Sequence, residues 1–315
     1  MSGKDATGVG REAVTGERST FTTIQERVAA NDYARWLLSP GLGLLWVFLF
    51  LFAPLSIIVL FSFYTSGEYG AIVSEFTLAN YERFLNSPTY QFVIAKSFAI
   101  GVLTTLIVLP LGYTLGYYLG RTETRWKPIL LGLVVVQFWV PIIIRTYAWI
   151  SVLGRQGLVN KLLLGLGVVN EPVQLLYTLP GMMVGLVVSL LPFMILPVYS
   201  SVSTIDDDII QAAKTLGATD ARAFREVTLP LSWPGIVSGI LFTFIISAGA
   251  FIAPQLLGGP AERMVAPVIA DVFLKDFNWP FAAALSLVYF LLIGVALYLF
   301  TRKADLEEAL EGTSL

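Results

Sequence analysis

Six apolar runs set the terms on which this chain can fold. They lie near 41–64, 92–120, 128–153, 181–203, 234–256 and 281–301. Each is long enough to cross a bilayer, which takes about 20 apolar residues in a helix. Inside hydrocarbon every backbone amide and carbonyl must be satisfied without water, so such runs are expected as helices. The expected class is an all-α polytopic membrane protein with about six transmembrane helices. Composition agrees, with 56% hydrophobic and only 13% charged residues, where a soluble domain carries about 25%.

An even number of spans puts both termini on one side. With the termini inside, the inner segments hold Lys4, Arg11, Arg18, Arg27, Arg35, Arg121, Arg125, Lys127, Lys214, Arg222, Arg225, Arg302 and Lys303. The outer side holds Arg83, Lys96, Arg155, Lys161, Arg263 and Lys275. This bias predicts cytoplasmic termini. Residues 1–39 are read as a polar cytoplasmic tail, with helix expected around 24–36, and 303–315 as a second tail. The start lacks the short apolar core and cleavage site of a signal peptide. Between lies one membrane domain, 40–302, in which 162–166 is too short to span and reads as an interfacial or re-entrant helix.

The same orientation places the polar insert 206–233 in the cytoplasm. Thr204 and the Asp206–Asp208 run supply caps and negative charge where a helix would begin. Ile209, Ala213 and Leu216 recur at helical spacing, and Gly217 can adopt the left-handed conformation that ends the helix. Thr219 or Asp220 can cap a second helix, with Ala221, Phe224 and Val227 on its apolar face and Pro230 ending it. Two short helices joined at a glycine form a docking element.

The chain offers little chemistry of its own. It has no Cys and no His, which excludes disulfides, Cys/His zinc sites and a His-based catalytic triad. Acidic residues cluster only at Asp206–Asp208 and Asp305–Glu311, where helix ends account for them. There is no phosphate loop followed by Lys and Ser/Thr, so any ATP hydrolysis belongs to another chain. No nucleic-acid motif is present, and the basic residues are scattered. A secondary transporter or channel would use intramembrane Asp, Glu or His for ion coupling, and the runs offer essentially none.

Arg145 lies in a hydrophobic run. It either faces an aqueous path or snorkels to the interface beside Tyr147 and Trp149. Gln137, Thr243 and Ser247 either line a path or bond a neighbouring helix. Pro192, Pro197 and Pro254, with Gly249, are expected to interrupt the spans flanking the insert.

The insert resembles the cytoplasmic motif of permease subunits of binding-protein-dependent ABC importers. The motif's Glu-Ala-Ala triplet, Gly and apolar-Pro pair are matched by Gln211-Ala212-Ala213, Gly217 and Leu229-Pro230. Gln211 departs from it, since an amide cannot make a carboxylate's ion pair. From about Pro40 to Arg302 the likeness points to the spermidine/putrescine permeases of the B type. It is carried by FWVPIIIRTYAWI (138–150), EPVQLLYT (171–178), LPFMILPVY (191–199), GATDARAFREVTLPLSWPGI (217–236), FIAPQLLGGP (251–260) and NWPFAAALS (278–286). Polyamine-carrying members often have Asp where this chain has Ala250.

The resemblance implies a type I ABC importer permease fold in a bacterial inner membrane. It implies a second homologous permease, two ATPase subunits that hold the ATP and Mg, and an extracytoplasmic solute-binding protein. This chain itself would bind no cofactor. Ile209, Gln211, Ala212, Ala213, Leu216, Gly217, Ala218, Phe224, Leu229 and Pro230 would dock on an ATPase. Gln137, Arg145, Tyr147, Thr243 and Ser247 are the candidates for the translocation path. The expected cargo is a polyamine, with an opine, amino-acid-like or sugar-derived solute as the alternative.

Overall fold

The computed structural model of the protein describes residues 41–67 and 70–312, with side chains as far as Arg302 apart from that of Leu42. The expected tail 1–39 lies outside these residues. The chain divides into two compact units, Met1–Leu60 and Phe61–Leu315. The described part of the first is the bulk of α1 (Leu42–Ser62), apolar along its length despite Pro54.

The second unit begins with a short antiparallel hairpin, β1 (Thr65–Ser66) and β2 (Ile72–Val73), in which Thr65 pairs with Val73 and Ser66 with Ile72. Then follow α2 (Ala79–Leu85), α3 (Pro88–Arg121), and α4 (Lys127–Val135), which tightens into a 3₁₀ turn over Val136–Phe138. Next come α5 (Ile142–Leu153), α6 (Leu158–Gly165) and α7 (Leu179–Ser203). The polar insert folds as α8 (Asp207–Thr215) and α9 (Asp220–Ala223), then a π-helical turn Phe224–Thr228 and α10 (Leu229–Leu231). The chain closes with α11 (Trp233–Ala248), α12 (Ile252–Leu257), α13 (Val265–Leu274) and α14 (Trp279–Gly312). The last helix thus runs ten residues past Arg302 without a break at the expected tail boundary.

Among the described residues α1, α3, α7 and α14 are each long and apolar enough to cross a membrane. Two bent pairs bring the number to six if each counts as one span: Lys127–Phe138 with Ile142–Gly165, bent by 98°, and Asp220–Leu231 with Trp233–Ala248, bent by 63°.

Three sequence expectations need correction here. The run near 128–153 is two helices, because Pro141 lacks an amide proton and, with ψ 133°, is itself extended where a helix would have to continue. The run near 234–256 is also two helices rather than one span, with the interruption at Gly249 as expected: α11 ends at Ala248 and the chain is irregular until α12, which carries Pro254 inside it. The Tyr289 hydroxyl donates to the Ala248 carbonyl at 2.9 Å and satisfies that end. Conversely, Pro192 and Pro197 do not interrupt α7, which is continuous around both. Close packing against its neighbours holds the helix where two amide bonds are missing.

The centre of the second unit is α3, α7 and α11 packed together. Gly112, Gly116 and Gly120 fall at i, i+4 and i+8 on α3 and meet Met194, Val198 and Val202 of α7. This is the small-residue stripe that lets two membrane helices approach backbone to backbone. A Cβ at Gly116 would sit 2.8 Å from the Ile195 carbonyl oxygen, and one at Gly120 2.6 Å from a Val202 methyl. Around the stripe Val108, Leu190, Met194, Val198, Val202 and Ile236 form one buried cluster. Ser97 links α3 to α13, donating to the Val93 carbonyl and accepting from the Val265 amide, each at 2.8 Å.

Replacing Gly116 with Val is expected to destabilise the unit by about 1–3 kcal/mol, because a carbonyl cannot be repacked as a side chain can. Thermal unfolding in detergent checks this. Gly132→Ala, on α4 where an added Cβ meets nothing within 4 Å, should leave the midpoint unlowered.

Candidate functional site

The insert is tightly built. Asp206 caps α8, its Oδ1 accepting from the Asp208 amide at 3.0 Å, and Asp207 and Asp208 complement the helix dipole. Thr204 is not the cap expected of it. Its hydroxyl donates to the Ser201 carbonyl at 2.8 Å and closes α7 instead. At the other end Gly217 has φ +95°, its amide donates to the Lys214 carbonyl at 2.9 Å, and the Ala218 amide donates to the Ala213 carbonyl at 3.1 Å. These two bonds make a Schellman stop. Thr219 caps α9, its Oγ1 accepting from the Arg222 amide at 3.3 Å.

Beyond α9 the structure departs from the expected helix ended by Pro230. The Leu229 amide reaches back to the Phe224 carbonyl, a π-helical bond. The widened turn absorbs the clash that the Pro230 ring would make with the carbonyl four residues earlier. The helical path therefore continues through Leu231 and bends at Ser232. The buried residues are Ala223 and Thr228, with Phe224 and Val227 half-buried, while Ala221 is exposed.

The outer face of the insert is apolar where water would be expected. Leu216 is 90% exposed and Ile209 48% exposed. Gln211 and Ala212 are exposed beside them, and Ala213 and Ala218 half-exposed. Ion pairs Lys214–Asp220 (2.7 Å) and Arg222–Glu226 (2.9 Å) rim this surface. The hydrogen bond from Lys214, then its charge, holds the Asp220 carboxylate below its ordinary value.

The inner face of the insert is tied to α3. Arg121 Nη1 donates to Asp207 Oδ1 at 2.6 Å and to the Ile205 carbonyl at 3.1 Å. Phe224, expected on the docking surface, is half-buried on this inner face instead, packing edge-on against Tyr117 and Tyr113 with ring centroids 5.3 and 6.1 Å away, so it is not among the residues open to a partner. The Tyr113 hydroxyl hydrogen-bonds Ser232 Oγ at 3.1 Å. None of Tyr113, Tyr117, Arg121 or Ser232 stood out in the sequence, although the spacing of the first three along one helix was visible there.

The five path candidates fall in two places. Arg145 and Gln137 come together across the break between α4 and α5. Arg145 Nη1 donates to the Gln137 carbonyl at 3.2 Å, satisfying an acceptor freed by the broken helix. Arg145 Nε and Gln137 Oε1 are buried with no hydrogen-bond partner among the described residues. Tyr147 is exposed on α5, and Trp139 at the break is 82% exposed. Thr243 and Ser247 are fully buried on α11, and Ser247 Oγ contacts the Gly101 carbonyl of α3 at 3.3 Å. Among the described residues no group of three or more His, Cys, Asp or Glu is placed to hold a metal.

With this geometry in place, similarity to known proteins is informative. The family described as "Binding-protein-dependent transport system inner membrane component" matches residues 112–305. The spermidine/putrescine transport system permease protein PotB of Salmonella typhimurium (strain SL1344) is 36% identical over 261 residues, covering 83% of this chain and 91% of that one. PotB of Escherichia coli (strain K12) is 35% identical over 261 residues, covering 83% and 94%. A chain from the crystal structure of a bacterial ABC transporter involved in import of the acidic polysaccharide alginate superposes with TM-score 0.73. It is 15% identical and covers 90% of this chain and 98% of its own, so it supports the fold.

The glycine stop gives a direct test. Gly217→Val meets no neighbour but is strained at positive φ by about 1–2 kcal/mol. Amide hydrogen exchange at residues 217 and 218 should accelerate while the unfolding midpoint of the helical bundle stays put.

Proposed function

The chain belongs to the family of inner-membrane components of binding-protein-dependent transport systems, and we propose that it forms half of the path of an ATP-driven polyamine importer. The single observation that carries the cargo is the 36% identity over 83% of the chain to a spermidine/putrescine permease. A second, homologous permease supplies the other half of the path. Two ATPase subunits bind the ATP and Mg, and an extracytoplasmic binding protein delivers the solute and sets most of the specificity. Both termini and the insert 206–233 face the cytoplasm, as the Lys/Arg bias supports.

On this reading the exposed Leu216 and Ile209 enter an apolar groove of one ATPase. An apolar residue 90% exposed to water gains by such burial, by about 1.5–3 kcal/mol for a leucine. The short ion-paired helices α8 and α9 hold the two residues in place at little entropic cost. Gln211 makes its contact as a neutral amide. ATP-driven closure of the ATPase pair then moves the insert as a lever.

One observation favours a second cargo within the same class. The six apolar runs contain no Asp or Glu, and Ala250 occupies the break between α11 and α12. A path without carboxylates offers a polycation no charge attraction in this subunit, which suits an opine, amino-acid-like or sugar-derived solute.

Purification of the chain with its ATPase, and ATP turnover raised by the binding protein loaded with putrescine or spermidine, is the expected outcome. Failure of the binding protein to take any polyamine sinks the cargo. Leu216→Asp should weaken ATPase co-purification at least tenfold, for a loss of about 1.4 kcal/mol or more, without lowering the unfolding midpoint. Wild-type retention of the ATPase in that variant would remove the docking role.

A further inference from the structure

Tyr113, Tyr117 and Arg121 lie at i, i+4 and i+8 on α3, and so on one face of it. That face meets the insert at three places spread over its length. Arg121 holds the start through the Asp207 carboxylate and the Ile205 carbonyl. Tyr113 and Tyr117 hold the middle through Phe224. Tyr113 holds the end through Ser232, at the 63° bend before α11.

We propose that this stripe is the receiver of the insert's motion: Tyr113, Tyr117 and Arg121 are positioning residues that deliver the stroke sideways into α3. The proposal rests on the reading above that the insert meets an ATPase, and it assigns the route by which that contact reaches the path. The obvious alternative route follows the chain through Pro230 into α11. That route passes a π-helical turn and a sharp bend, both of them joints that yield. The lateral route bypasses them. A half-buried guanidinium that holds both an exposed carboxylate at 2.6 Å and a backbone carbonyl at 3.1 Å, and a ring held edge-on by two others, resist displacement in different directions. Beyond the stripe, the Gly112–Gly116–Gly120 contact locks α3 to α7. A push on the insert therefore moves α3 and α7 as one body.

The test uses the complete importer, both permeases with ATPases and binding protein, in proteoliposomes. Putrescine uptake and ATP hydrolysis are measured together. Arg121→Gln and Phe224→Ala should keep the ATPase bound and hydrolysing, while uptake per ATP falls by at least about fivefold. Phe224→Tyr, which keeps the ring between its partners, should retain the wild-type ratio. An unchanged ratio in the first two variants overturns the proposal. So does loss of uptake in step with loss of bound ATPase, since the residues would then only hold the fold.

A second arm needs no cargo. The chain has no Cys, so spin labels at Glu123→Cys and Thr215→Cys report one distance between the end of α3 and α8. That distance should be the same in nucleotide-free and ATP-trapped complexes. A change between the two states overturns the receiver role. If the unsubstituted complex fails to take up putrescine, the cargo reading falls, and this distance still decides the route.

Discussion

The close approach of α3 to α7 is the contact on which the rest of the second unit depends. In a bilayer the hydrophobic effect does not press helices together, because lipid tails are as apolar as leucine. What remains is dispersion between closely packed surfaces and hydrogen bonding. The stripe Gly112, Gly116 and Gly120 supplies the first, by letting Met194, Val198 and Val202 come up to bare backbone. It also fixes the rotation of α3. With the glycines turned to α7, Tyr113, Tyr117 and Arg121, each one residue further on, turn to the polar insert.

Breaks in the helices are the second theme. At three places where helices begin or break, a polar side chain stands in for a missing backbone partner. Arg145 covers the Gln137 carbonyl, Tyr289 covers the Ala248 carbonyl, and Ser97 receives the Val265 amide. Each is a group whose burial would be costly alone and which becomes stabilising once paired. Arg145, Tyr289 and Ser97 thus have structural duties, while Gln137 Oε1, Arg145 Nε and Thr243 Oγ1 are buried without a partner among the described residues.

The insert reverses the usual arrangement of a water-exposed element. Its helices put charge at their ends and in rim ion pairs, leaving Leu216 and Ile209 bare. A glycine at positive φ sets the angle between them, and a π-helical turn lets a proline follow without ending the helical path. In a chain that belongs to a family of transport-system membrane components, this leaves an apolar surface open on the insert.

Much of this was legible in the residue string, and the division is physical. The apolar helices, the polar insert, the Asp206 and Thr219 caps and the Gly217 stop depend on local rules: apolar run length, capping oxygens and the freedom of glycine. The sequence by itself therefore determined a helical membrane protein of several apolar helices with a structured polar insert. It also held signals that passed unread, the Gly-x-x-x-Gly spacing in α3 and the Val140-Pro141 break. Tertiary structure alone decided which side chain caps which distant carbonyl, that α7 stays continuous through two prolines, and that Tyr113, Tyr117 and Arg121 grip the insert. Most of those outcomes depend on which face of one helix meets another, at separations from 41 residues for Tyr289 and Ala248 to 119 for Tyr113 and Ser232, and no local rule carries that information.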